Sequence, residues 1–210
     1  MRSLMLTAAA VIALSGAAHA SVIPVLDNVT ADGANFKFSY DGQLAADQGV
    51  ANGSQLVIVD FAGYVDGSVH SSLANVTASI SNTLPAGLVL DPMFTDNASI
   101  PDLVFTYTGA DFHTTGGPFT SGPDGGIIHF SGLSADSIFS GMTTGTFSAA
   151  AIRNTGTAAE QGTVTLNVGQ VAVPLSAVPE PASWALMIMG FLGLGTALRL
   201  GRSRSLGVAA

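Results

Sequence analysis

The sequence predicts an all-β protein: a single antiparallel β-sandwich, jelly-roll or immunoglobulin-like, between an N-terminal signal peptide and a single C-terminal transmembrane helix. Three observations predict the sandwich. Apolar and polar residues alternate with the period of two that a half-buried strand requires, as in Phe36-Lys37-Phe38-Ser39-Tyr40. Asp-Gly and Asn-Gly dipeptides recur between such stretches, where tight turns need positive φ. Between the two ends of the chain, no window carries the apolar period of an amphipathic helix.

The strands follow in order. Phe36, Phe38 and Tyr40 place three aromatics on one face. Leu103, Phe105 and Tyr107 repeat the pattern around Val104 and Thr106, and Val164, Leu166 and Val168 do so around Thr165 and Asn167. Less regular strand runs lie at 55–61, 76–80, 126–130 and 145–153. Asp32-Gly33, Asp66-Gly67 and Asp124-Gly125 read as hairpin turns, Asp41-Gly42 and Asn52-Gly53 as further turns, and 156–162 as a loop. No internal repeat of 20–50 residues stands out. Short strands with Gly and Asp between them make a sandwich covering 21–173, followed by a linker at 174–178.

Charge and composition exclude several functions. Between residues 21 and 178, twelve Asp and one Glu face only Lys37 and Arg153, a net of −11. Such a surface repels phosphate backbones, which argues against nucleic-acid partners, and it disfavours anionic lipid head groups while attracting divalent cations. The chain has no cysteine, which removes thiolate metal sites, disulfides and thiol catalysis. At this length a core forms without such staples.

Both ends read as addresses. Residues 1–20, "MRSLMLTAAAVIALSGAAHA", carry one arginine, an apolar stretch and a small-x-small ending. That is a signal peptide with Ala18 and Ala20 at the cleavage site and Ser21 as the new N-terminus. At the other end, residues 184–198 are uncharged and would cover about 23 Å as a helix. Extended to 182–200, the helix approaches the ~30 Å hydrocarbon core, with Arg199 snorkelling outward. Trp184 lies at the entrance, where interfacial aromatics belong. Arg199, Arg202 and Arg204 keep the far end cytoplasmic and stop the helix there, the orientation the signal peptide also requires. Gly190, Gly193 and Gly195 suit a membrane helix better than a buried soluble one. Pro179-Glu180-Pro181 forbids helix and holds an extended segment just outside the bilayer.

Taken together, Pro179, Glu180, Pro181, Trp184 and Ala185, the apolar helix and the arginine cluster resemble the PEP-CTERM sorting domain in its PEPxxWA form, over residues 179–204. The chain then runs on through 205–210, more loosely than the abrupt basic ending usual in that family. The resemblance implies a substrate of an exosortase, a membrane-embedded processing enzyme, exported by a Gram-negative bacterium after signal peptidase cleavage. It also implies an inner-membrane-anchored precursor, a mature cell-surface or extracellular form, and association with exopolysaccharide and biofilm matrix.

Catalytic chemistry is sparse. No nucleophile elbow, H-E-x-x-H or P-loop occurs, and no catalytic residue is expected. Asp111 and His113, two apart on a strand, would point the same way, and His129 on a neighbouring strand would complete a metal set; a solvent-facing polar pair is the plainer reading. Structural calcium is the better metal expectation. Residues 27–32 and 91–97 cluster oxygen donors, without EF-hand spacing. Asp is also the ordinary turn residue, and no cofactor is expected. The sequons at Asn28, Asn52, Asn75 and Asn97 reflect composition. With its only Trp in the tail, the domain lacks the exposed aromatic platform of a typical sugar binder. The expected role is therefore structural or adhesive; the alternative is a secreted carbohydrate-active hydrolase or sugar-binding protein carrying the same tail.

Overall fold

Gly33 and Ala34 reverse the chain one residue later than an Asp-Gly turn would, Gly33 at φ 62°, and join the first two strands, β1 (Val22–Asp32) and β2 (Asn35–Leu44), whose ends Asp32 and Asn35 pair. The computed structural model describes residues 22–113, 120–121, 127–153, 162–175 and 189. The signal peptide, Ser21, the Asp124-Gly125 turn, most of the 156–162 loop and nearly all of the sorting tail lie outside these residues. No helix among the described residues is long and apolar enough to cross a membrane.

The remaining strands are β3 (Gln48–Val50), β4 (Gln55–Ile58), β5 (His70–Ser71), β6 (Val76–Ser81), β7 (Asp102–Tyr107), β8 (Phe112–His113), β9 (Thr120–Ser121), β10 (Ile128–Ser137), β11 (Met142–Arg153) and β12 (Val164–Pro174). One sheet runs β1-β2-β10, with β9 and β5 both pairing the free side of β10. The other runs β6-β7-β4-β11-β12, with β3 pairing β11 beyond β4 and β8 pairing β3. All pairings are antiparallel. The fold is all-β and sandwich-like.

Alternation places the core. Phe38 and Tyr40 from the first sheet, and Leu56, Ile58, Leu103, Phe105, Phe147, Val171 and Val173 from the second, bury their side chains in one cluster. Phe61 joins it edge-on to Phe38, ring centroids 5.5 Å apart. The Tyr40 hydroxyl, fully buried, donates to the Ala172 carbonyl at 3.0 Å and ties the sheets together.

A second apolar layer sits on the outer face of the second sheet. Val57 and Val59 point away from the main core, as does Val104, and Leu84, Leu88 and Leu90 pack over them. Residues 82–101 thus form a covering segment, which explains why β4 and β7 are apolar on both faces. Ser148 of β11, fully buried, pins this segment by donating to the Val89 carbonyl at 2.7 Å.

Several expectations need correction. Strand β1 went unpredicted, and residues 27–32, expected as a donor-rich loop, belong to it. Asp32 there pairs with Lys37 at 3.1 Å. Asp41-Gly42 is no turn. It lies inside β2, where the Phe130 ring of β10 rests directly over Gly42. Asp66-Gly67 turns the chain, with Ser68 N donating to Val65 O at 3.1 Å, but joins no hairpin. In β12 the predicted alternation has the right period and the opposite phase. Val164 and Leu166 face solvent, while Thr165 bonds the buried Gln48 side chain and Asn167 donates to Val22 O at 3.0 Å. Val171 and Val173, further along, supply that strand's buried apolar contacts. The strand ends at Pro174, and Leu175 N still bonds Gly141 O.

Candidate functional site

Three carboxylates meet at the edge of the second sheet where β4 ends and β7 begins. Ile58 and Leu103 are register partners, so Asp60, two residues past Ile58, and Asp102, one residue before Leu103, are held side by side. Asp60 sits at φ 57°, a left-handed conformation that Asp tolerates better than most residues. That geometry lets its amide donate to Asp102 Oδ1 at 2.9 Å, and Phe61 N bonds Pro101 O at 2.9 Å.

The third carboxylate arrives on the covering segment. Asp96 Oδ2 accepts from Leu84 N at 2.8 Å, and Asp60 Oδ1 accepts from Asn97 N at 3.1 Å. One ligand oxygen from each of Asp60, Asp96 and Asp102 lies within 4.8 Å of the other two. Asp102 is 0% exposed; Asp60 and Asp96 are half-buried. Of the six carboxylate oxygens, Asp102 Oδ2 and Asp96 Oδ1 are buried and meet no hydrogen-bond donor.

The electrostatics are one-sided. Burial pushes the Asp102 carboxyl up to about 6, against the Asp60 amide bond, and the charges of Asp96 and Asp60 add to the rise. Asp60 is raised as well, first by burial and further by Asp96, while the Asn97 amide opposes. Three converging carboxylates offer oxygen donors alone, the chemistry of a hard-cation ligand set.

Sequence reasoning reached one third of this group. Asp96 falls in the expected 91–97 donor stretch, whereas Asp91 there closes a turn, accepting from Met93 N through its side chain at 2.9 Å. Asn97 likewise holds Ser99 N at 3.1 Å. Asp60 and Asp102 went unnoticed, although each directly abuts an uninterrupted apolar run, "LVIV" before Asp60 and "LVF" after Asp102. An acid attached to a strand buried on both faces is itself drawn into the interior.

The Asp111, His113 and His129 set does not form on neighbouring strands. His113 is on β8, paired to Gly49 of β3, while His129 is on β10 of the other sheet, paired to Gln43 and Thr120. Asn28, Asn52, Asn75 and Asn97 are all exposed. An apolar crevice between the sheets, lined by Leu44, Val50, Leu56, Leu73, Phe105 and Phe130, has a cavity volume of about 50 Å³, room for a few water-sized groups. No protein-family model matches the chain, and no curated protein is similar to it.

Proposed function

We propose that the protein is an exported bacterial surface or matrix component. Its precursor is cleaved by signal peptidase after Ala20, held by its C-terminal helix in the inner membrane, and processed at Pro179-Glu180-Pro181 by an exosortase. The mature β-domain then serves a structural or adhesive role in contact with exopolysaccharide. The observation that carries this reading is the order of three features within 26 residues: the Pro-Glu-Pro and Trp-Ala motif, an uncharged apolar run, and arginines at 199, 202 and 204. A plain anchor explains the last two and leaves the first without a purpose.

The hydrolase reading draws no support from the carboxylate cluster. Glycoside hydrolysis needs two carboxyl groups facing a sugar across roughly 5–9 Å, and Asp102 is sealed from solvent.

Intact mass of the native protein, recovered separately from envelope and medium, tests the proposal. A species starting at Ser21 and ending near residues 179–181 is expected, and Glu180→Gln should accumulate the longer form. Finding only chains that run to Ala210, all in membranes, would make the tail a permanent anchor and sink the sorting reading.

A further inference from the structure

We propose that Asp60, Asp96 and Asp102 bind one calcium ion, which fastens the 82–101 covering segment to the edge of the second sheet. The cluster is electrostatically unbalanced as it stands. Burying a carboxylate is costly unless cationic or hydrogen-bonding partners compensate it, and here three converge. Among the described residues the only cationic side chains are Lys37 and Arg153. Lys37 is paired with Asp32 on the other sheet. Arg153 lies seven residues along β11 from Thr146, whose carbonyl accepts from Val59 N beside the cluster, a span of about 23 Å. Backbone amides satisfy one oxygen each on Asp60, Asp96 and Asp102.

The independent observation is Asp102 Oδ2. Its side chain is 0% exposed, this oxygen meets no donor, and the carboxylate that carries it is a corner of the triangle. Asp96 Oδ1 is in the same condition. Native proteins rarely leave such atoms unpartnered, so each needs a specific cause. A shared cation supplies one cause for both.

Ligand type and spacing select the ion. All three ligands are hard oxygens, which disfavours zinc and copper relative to calcium or magnesium. Two oxygens bound to one calcium at 2.3–2.6 Å can be no more than about 5 Å apart. The 4.8 Å limit on the triangle meets that condition as it stands. Magnesium, at about 2.1 Å, demands near-ideal octahedral geometry and usually keeps most of its waters beside one or two carboxylates, so a three-carboxylate protein site suits calcium better. Half-buried Asp60 and Asp96 leave a side from which the ion enters and water completes its shell. Binding depends on the folded domain alone. Only the expected affinity, a Kd on the order of 10⁻⁴–10⁻³ M as in extracellular modules, rests on the export reading.

The test uses the full chain in mild detergent, stripped with EDTA and dialysed. Calorimetric titration with calcium chloride should give one ion per chain, and Tm should rise by about 5–10 °C at a hundredfold excess over Kd. Hydrogen exchange should slow within residues 82–101, beginning with the Leu84 and Asn97 amides. Asp96→Asn, which keeps the acceptor for Leu84 N, should lose the heat and the Tm rise; without calcium it should be at least as stable as the native chain, since a repulsive charge is gone. Asp102→Asn repeats the measurement at the buried corner, and Asp96→Asn carries the result if that variant fails to fold. Equal calcium-induced shifts in native and Asp96→Asn chains, or no heat up to 10-fold above millimolar calcium, overturns the site. Binding without slower exchange in 82–101 overturns the fastening role.

Discussion

Replacing Gly42 with alanine adds one methyl group to the middle of β2, and its effect should reverse sign with the residue at position 130. Gly42 and Phe130 are register partners on adjacent strands. A Cβ on Gly42 would stand 2.1 Å from Cζ of the Phe130 ring, 2.4 Å from Cε2 and 2.8 Å from Cε1. Carbon atoms rest at roughly 3.5 Å or more, so the ring must retreat by about 1.4 Å. Phe130 packs against the main core and lines the crevice between the sheets, and its retreat forfeits part of that contact. Overpacking of this kind costs about 1–3 kcal/mol. Against it stands the conformational freedom a strand glycine loses on folding, worth about 0.5–1 kcal/mol in alanine's favour.

With Phe130 present, the clash outweighs the entropy, and Gly42→Ala should destabilise by about 0.5–2 kcal/mol. In a Phe130→Ala background the three closest contacts of the new methyl are gone and the entropic gain should prevail. The same substitution should then stabilise by about 0.5–1 kcal/mol. Urea unfolding of the four proteins measures the difference, an expected coupling of about 1–3 kcal/mol, within the range seen for contacting residues. Gly42→Ala effects of equal size and sign in both backgrounds would refute this reasoning: the glycine would then be required by the backbone rather than by the aromatic ring.

Further outcomes follow from the same contacts. Tyr40→Phe removes the hydroxyl that bonds Ala172 O between sheets and should cost about 1–2 kcal/mol, read as a Tm lowered by about 2–6 °C; an unchanged Tm would mean that the bond contributes nothing. Leu88→Ala uncovers Val57, Val59 and Val104 and, because Leu88 is only partly buried, should cost about 1–2 kcal/mol, below the full range for a buried leucine, with faster hydrogen exchange confined to residues 82–101. In chelator, Asp102 titrates near 6 when folded and near 3.8 when unfolded, so the folded state holds its proton more tightly between those values. That contribution is present below about pH 4 and is lost as pH rises through 6, the reverse of a salt-bridged aspartate. The stability gap between Asp102→Asn and the native chain should therefore narrow as pH falls from 7 to 4; a gap independent of pH would count against the buried carboxyl.

What the sequence conveyed was periodicity, and what it withheld was long-range placement. The alternation at 36–40 and at 103–107 located two inward faces, with Phe38, Tyr40, Leu103, Phe105 and Tyr107 all buried. Periodicity fixes which residues share a face without saying which face meets the core. Hence the inverted reading of Val164 and Leu166, where Thr165 bonds Gln48 and Asn167 bonds Val22 O, polar inner contacts that join three distant parts of the chain. Gly42 failed for a related reason. Asp-Gly is a turn signal only when nothing across the sheet needs the missing side chain, and Phe130, 88 positions later, needs it.

The two functional proposals divide along the same line. A sorting tail is read by other proteins as a linear string, so its meaning lies in residue order and is open to inspection without a fold. The carboxylate triangle has no such order: Asp60 and Asp102 are 42 residues apart, and Asp96 joins them only because Leu84, Leu88 and Leu90 lay their segment over Val57 and Val104. The sequence feature that leads to it is an acid abutting a strand that is apolar on both faces. Such a strand must be covered on both sides, so the acid is carried into the interior and must find a partner there. At Asp102 the protein itself partners one oxygen and leaves the other buried without a donor, at a corner of the carboxylate triangle. If calcium binds there and the chain is exported as proposed, the covering segment is locked in the calcium-rich exterior and loosened in the calcium-poor cytoplasm, which would couple the stability of the domain to that export.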